Sequence, residues 1–171
     1  MCCNGVIFAD VKLQPADDAA RLRALGIPVS SDPARTREKA RGVSPHSPAR
    51  AMRFSQPCAA LEGCECKIYR ERPKYCREFD CLLLKKVKTG QLQTPVALQI
   101  IRTTSDRAET VRELLRELGD NEETLPLATR FKRTSRRLEK VGLDSQAGEI
   151  YAQLTLAFHD LNLMLQKEFY R

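Results

Sequence analysis

Seven cysteines carry the chemistry this chain is able to do: Cys2, Cys3, Cys58, Cys64, Cys66, Cys76 and Cys81. None follows between Leu82 and Arg171. Buried thiols scattered through a core would explain one or two of them, but not their confinement to the first half. The count is odd, and residues Met1 to Val11 carry no basic, apolar and cleavage-site series of the secretory kind. A disulfide framework is therefore not expected, and a reducing cytoplasm is the default compartment. Clustering of this kind points to metal chemistry, in which several thiolates converge on one ion or cluster. No C-x-x-C pair occurs, so the spacing is not that of a zinc ribbon or finger.

Local geometry bears on which thiols can meet. Cys2 and Cys3 are neighbours, and on an extended segment they face opposite ways. Cys64 and Cys66 are two apart and would face the same way. Arg72-Pro73 reads as a helix start, with the helix running to Thr89 and ending at Gly90. Cys76 then lies in its first turn, where free backbone N–H groups favour a thiolate. Cys81 would lie about 140° further round the helix, facing elsewhere.

The elements that must position these groups read as follows. Cys2 to Leu13 is expected to be extended. A short helix starts at Gln14-Pro15, with Asp17 and Asp18 at its positive end, and stops at Gly26 and Pro28. Residues 29–53 are polar and punctuated by proline, and read as a long surface loop holding His46 as a solvated residue. Pro95 to Leu118, about Leu125 to Val141 and about Ala147 to Tyr170 read as three helices. The last carries Ile150, Leu154, Phe158, Leu161, Leu165 and Phe169 as one stripe and is expected to be central. His159 and Asn162 on it are expected to be satisfied polar residues. The fold class is thus mainly α, with a small irregular cysteine-rich module (residues 1–90) packed on a C-terminal helical bundle (residues 91–171). No apolar run approaches the roughly 20 residues of a membrane-spanning helix, so no membrane partner is expected.

Charge follows the same division. Residues 1–90 carry a net +7 and residues 91–171 are neutral. The cations offset thiolate charge; the other reading is a nucleic-acid surface, aided by Arg130, Lys132, Arg133, Arg136, Arg137 and Lys140 on the middle helix. Aromatic interleaving and RNA- or DNA-binding motifs are missing, and that basic run reads as a solvated face balanced by Glu113, Glu117, Glu122 and Glu123.

The run Cys66-Lys67-Ile68-Tyr69-Arg70-Glu71-Arg72-Pro73-Lys74-Tyr75-Cys76-Arg77-Glu78-Phe79 resembles the C-x-I-Y-x-x-R-P-x-x-C-R-x-F signature of the YkgJ-type cysteine-cluster proteins. That family occurs in bacteria and archaea and is described as zinc- or iron-chelating. Cys58 matches the cysteine it places a short loop earlier, and Cys2-Cys3-Asn4-Gly5 is similar to the tail of its opening C-x-x-C-x-x-C-C motif. The first half of that motif has no counterpart, since Met1 precedes Cys2. Either the start lies further upstream or the site uses fewer thiolates. The resemblance implies Cys3 (or Cys2), Cys58, Cys66 and Cys76 as metal ligands, with Cys64 and Cys81 as extra positions. It further implies Arg72 and Arg77 as hydrogen-bonding support around the sulfurs, and Tyr69 as a wedge beneath the loop.

The function expected is metal binding, with zinc, iron or a [4Fe–4S] cluster as cofactor and no catalytic residue assigned. An iron–sulfur-dependent enzyme of redox or protein-methylating type is the alternative, although no G-x-G loop occurs for a nucleotide or adenosylmethionine. A basic nucleic-acid adaptor is the third reading.

Overall fold

The computed structural model describes residues 1–31, 52–142 and 145–170. His46 and most of the expected loop lie outside the described residues. Its two ends are ordered strands, however. β2 (Ser30–Ser31) and β3 (Met52–Ser55) pair antiparallel, and β3 also pairs with β1 (Asp10–Lys12), giving the order β1-β3-β2. The register sets Val11 opposite Phe54 and Ser30 opposite Arg53. Val11 and Phe54 thus share one face. There they bury with Leu22, Ile27, Val29, Ala60 and Ile68, and this small core is the floor under Cys58, Cys66 and Cys76.

Between β1 and β2 lies α1 (Ala19–Ala24). It begins four residues later than Pro15, because Asp18 takes the cap position and accepts the Arg21 N–H at 2.9 Å. Asp17 is used otherwise. One carboxylate oxygen accepts from Gln14 N–H at 2.7 Å and the other from Lys74 N–H at 2.8 Å. It thereby ties the Gln14 turn to the start of the helix that carries Cys76. A two-stranded hairpin follows, β4 (Leu61–Glu62) with β5 (Glu65–Cys66), turning at Gly63 with φ +57°.

The single helix expected from Pro73 to Thr89 is two: α2 (Lys74–Glu78) and α3 (Leu82–Lys88). Phe79 leaves helical geometry at ψ 116° and Cys81 follows at ψ 162°. Packing explains the break. Phe79 is drawn onto Phe8, with ring centroids 4.9 Å apart edge-to-face, and stacks on Tyr75 at 5.6 Å. Cys81 then caps α3, its Sγ accepting the Leu84 N–H at 3.4 Å.

The remaining helices are α4 (Thr94–Glu117), α5 (Leu127–Val141) and α6 (Ser145–Glu168). α4 and α6 form the main seam, where Ala108, Val111, Leu115, Leu154, Leu161 and Leu165 are buried. Thr104, on the same seam, donates to Ile100 O at 2.6 Å and lies 3.3 Å from Met164 Sδ. Phe131 on α5 stacks on Phe158 at 4.1 Å. The stripe expected on α6 is the face it buries: Leu154, Leu161, Leu165 and Phe169 are buried and Ile150 and Phe158 pack against them, while Leu156 and Leu163, off that stripe, are exposed. Asn162 is satisfied, donating to Phe158 O at 2.9 Å, and His159 is exposed.

The amino-terminal segment is not extended through Cys2 to Leu13. Residues 2–5 form a turn, after which Val6 and Ile7 enter the helical core. Gly5 has φ +76°, and its carbonyl accepts from Leu127 N–H at 3.0 Å. A Cβ there would stand 3.2 Å from both Pro126 Cα and Pro57 Cδ. Glycine is thus required where the cysteine turn, the Cys58 loop and the start of α5 converge.

The basic run on α5 is also not a uniform solvated face. Arg130 is 1% exposed, and its partner is Asp120, not any of the four glutamates expected to balance the run. Asp120 accepts from Arg130 Nε at 3.0 Å, from Arg133 at 2.7 Å and from the Thr134 hydroxyl at 3.3 Å. Arg137 donates to Leu118 O at the end of α4. The rest of the run, Lys132, Arg133, Arg136, Arg137 and Lys140, is exposed, although Arg133 and Arg137 each reach inward to a partner.

Candidate functional site

Four short elements deliver the cysteines. Cys3 sits in the 2–5 turn and is held against the Cys58 loop by Cys58 N–H donating to Cys3 O at 2.8 Å. Cys58 opens a turn closed by Leu61 N–H on its own carbonyl at 2.9 Å, and the Ala60 N–H reaches its sulfur. Cys66 ends β5, where Tyr69 N–H turns back onto its carbonyl at 3.1 Å. Cys76 lies in α2, which Asp17 fastens to the Gln14 turn.

Cys3, Cys66 and Cys76 border one cavity of about 600 Å³, together with Cys2, Cys64 and Gln56. Cys58 stands behind it, within electrostatic reach of Cys3 and Cys66. Phe8, Tyr75 and Phe79 form an aromatic wall.

Burial pushes the Cys76 thiol up to about 12, and potential negative charge on Cys3, Cys58 and Cys66 adds to the rise. Burial likewise raises Cys3, with Cys66 adding to it. Cys58 is raised by burial and by Cys3 and Cys66, against the Ala60 N–H. Positive charge works the other way: the amino-terminal ammonium and then Arg72 on Cys3, and Arg72 on Cys76. Burial first, and neighbouring sulfurs after it, thus hold the thiols of Cys3, Cys58 and Cys76 in their neutral form. Among the described residues, no three His, Cys, Asp or Glu side chains close around an ion as they stand. The four sulfurs share an electrostatic environment without being drawn to ligand separation.

The other sequence-predicted positions fall apart from this group. Cys2 packs with Cys81 against the helical core; burial raises its thiol, and Cys81 and Cys3 add to that. Cys64 is exposed on the hairpin turn at the cavity rim. It does not share a strand face with Cys66, because it belongs to the turn and β5 begins only at Glu65. Arg72 is held by its Nε donating to Tyr69 O at 3.0 Å, with its guanidinium 3.7 Å over the Tyr69 ring. Tyr69 is no wedge beneath the loop: it is 63% exposed and serves as the platform on which Arg72 lies. Arg77 points away from the cavity, into a groove with Asp17, Asp18 and Arg21.

Sequence reasoning missed Gln56 and the aromatic wall. Gln56 carries no motif; its one local signal is its place two residues before Cys58. Phe79 was hidden inside an expected helix. The chain matches no family model, no curated protein and no solved structure.

Proposed function

We propose that this protein binds a metal through Cys3, Cys58, Cys66 and Cys76, as a YkgJ-type cysteine-cluster protein of a reducing cytoplasm. The observation that supports the reading is the meeting of Cys3, Cys66 and Cys76 at one cavity with Cys58 behind it, although they come from four separate elements spread over more than seventy positions. Burial with neighbouring sulfurs raises the thiols of Cys3 and Cys58, and that of Cys76 to about 12. Neutral thiols gain nothing from one another in a partly dry space, and ionising more than one of them there is unfavourable. A bound cation reverses the sign, because each thiolate then meets a positive charge.

The donor set suits the group. Four thiolates are soft ligands, matched to Zn²⁺ or to an iron–sulfur cluster. Arg72, fixed on Tyr69, offsets part of the surplus negative charge and directs a cation's worth of field at Cys3 and Cys76. The aromatic wall keeps water from one side. Zinc would staple the amino-terminal turn, hairpin and α2 together; an iron–sulfur cluster would add electron transfer.

Metal analysis of anaerobically purified protein, with an absorption spectrum, tests this. Near-stoichiometric zinc or iron is expected. A visible band bleached by dithionite assigns iron–sulfur, and its absence with zinc present assigns the staple. Finding neither metal overturns the reading.

A further inference from the structure

α5 carries more positive charge than its surroundings use. Of its six cations, Arg130 is buried on Asp120, and Arg133 reaches the same carboxylate through Nε at 3.1 Å and a terminal nitrogen at 2.7 Å. Arg137 donates to Leu118 O. Lys132, Arg136 and Lys140 are exposed and make no ion pair among the described residues, nor does Glu139, the one acid of the helix. At about 100° per residue, Thr129, Lys132, Arg133, Arg136, Arg137 and Lys140 fall within about 140° of the helix surface and run roughly 16 Å along its axis. Glu139 lies just outside this stripe. At the stripe's start, Ala128, Thr129, Lys132, Arg133 and Arg136 line a hollow of about 370 Å³.

The charges are gathered at spacings that oppose one another. Lys132 with Arg136, Arg133 with Arg137 and Arg136 with Lys140 stand four apart, where like charges repel across one helical turn. The helix gains nothing from this arrangement, and Arg133 and Arg137 are held in place by their inward bonds. A row of this kind is complementary to a polyanion. The rest of α5 chooses among polyanions. Leu127, Phe131 and Leu138 are packed into the core, so no apolar face is left to enter a lipid surface. The stripe has no large apolar side chain to form the dry centre of a protein interface, and no aromatic ring on which the bases of a single strand would stack. We propose that the α5 stripe docks on the phosphate backbone of a nucleic-acid duplex, without reading its sequence. Guanidinium forks match phosphate oxygens, and backbone contacts need no base-reading motif. The inference goes beyond metal binding and does not depend on it.

The test is fluorescence anisotropy of a labelled DNA duplex of about 20 base pairs and arbitrary sequence, titrated with the full chain between about 50 and 200 mM salt. Four cations of the stripe remain once Asp120 is set against Arg133, so affinity should fall by about a hundredfold over that range. Lys132→Gln with Arg136→Gln should bind at least about tenfold more weakly at the lower salt, with the slope of log affinity against log salt reduced by about two. Lys140→Gln alone, at the far end, should reduce it by about one. These side chains are exposed and leave the Asp120 network intact, so far-UV circular dichroism should not change. Lys85→Gln with Lys88→Gln removes the same charge from α3, where both are exposed, and should bind as the natural protein does. No binding by the natural protein at the lower salt overturns the inference. So does an equal loss in the α3 variant, which would make the effect one of net charge. Tighter binding to a single strand of the same length, to vesicles containing anionic lipid or to a polyglutamate peptide overturns the choice of a duplex.

Discussion

Two clusters of ionisable groups in this fold are solved in opposite ways. Around Asp120, one buried carboxylate meets Arg130, Arg133 and Thr134, and its own backbone carbonyl takes a further bond from Arg130 at 2.7 Å. Burial works to raise the Asp120 carboxyl, but its hydrogen bonds with Arg133 and Arg130 outweigh that and hold it below the usual carboxylate range. Around Cys3, Cys58, Cys66 and Cys76, burial acts with the neighbouring acids rather than against them. The first cluster is complete without anything added; the second, on the proposed function, is completed by a cation. On that reading the contrast separates a polar network that builds structure from one arranged for a ligand.

The widest prediction removes the ligand atoms on one side of this contrast. Cys66→Ala or Cys76→Ala should abolish near-stoichiometric metal, and Cys64→Ala or Cys81→Ala should leave it intact, read by metal analysis of purified variants. If the metal is a zinc staple, the energy at stake is large, of the order of 10–16 kcal/mol in apparent binding for small zinc domains. A strong chelator should then loosen the β-sheet and hairpin, while far-UV circular dichroism from α4 and α6 persists. Metal retained by both Cys66→Ala and Cys76→Ala would erase the distinction between the two clusters.

The other side is broken at Asp120. Asp120→Ala leaves Arg130 buried without its counter-ion, a change that costs about 3–5 kcal/mol for a buried pair. Urea unfolding should show that loss in the helical signal, with metal content per folded molecule unchanged. The pH dependence has a defined sign. Because folding lowers this carboxyl, its stabilisation is present above the unfolded carboxylate pKa of about 3.9. It is lost as pH falls through the still lower folded value. The natural protein should therefore lose helical stability below about pH 4 more steeply than Asp120→Ala.

How far each cluster was legible in the sequence follows from where its information lies. The crowding of cysteines in the first half was legible because cysteine is rare and its crowding has few causes; the choice of Cys3 (or Cys2), Cys58, Cys66 and Cys76 among the seven came from the family resemblance. α4 and α6 were legible because their stripes repeat at helical spacing, so the mainly α architecture with an irregular amino-terminal module could be expected. Asp120 was not, since one aspartate after Gly119 looks like any loop acid until α5 folds across it. The break at Phe79–Cys81 was hidden for the same reason: Phe79 has ordinary helical surroundings in sequence, and Phe8, seventy-one positions earlier, pulls it out.

The smallest predicted effect is at the junction between the two regions. Gly5 holds a positive φ and faces both Pro57 and Pro126 at 3.2 Å from where a Cβ would stand. Neither contact is the end of a flexible side chain, so Gly5→Ala must move backbone. A non-glycine residue in such a conformation costs about 1–3 kcal/mol. The displacement falls between Gly5 O, bonded to Leu127 N–H, and Cys3 O, bonded to Cys58 N–H. It should thus weaken metal affinity by separating Cys3 from Cys58, in addition to lowering the urea midpoint modestly. The Asp120 network, reached only through α5, should be unaffected, and the pH dependence of helical stability should match that of the natural protein. A Gly5→Ala protein with natural metal affinity would mean that the amino-terminal turn carries no ligand, and Cys3 would leave the site.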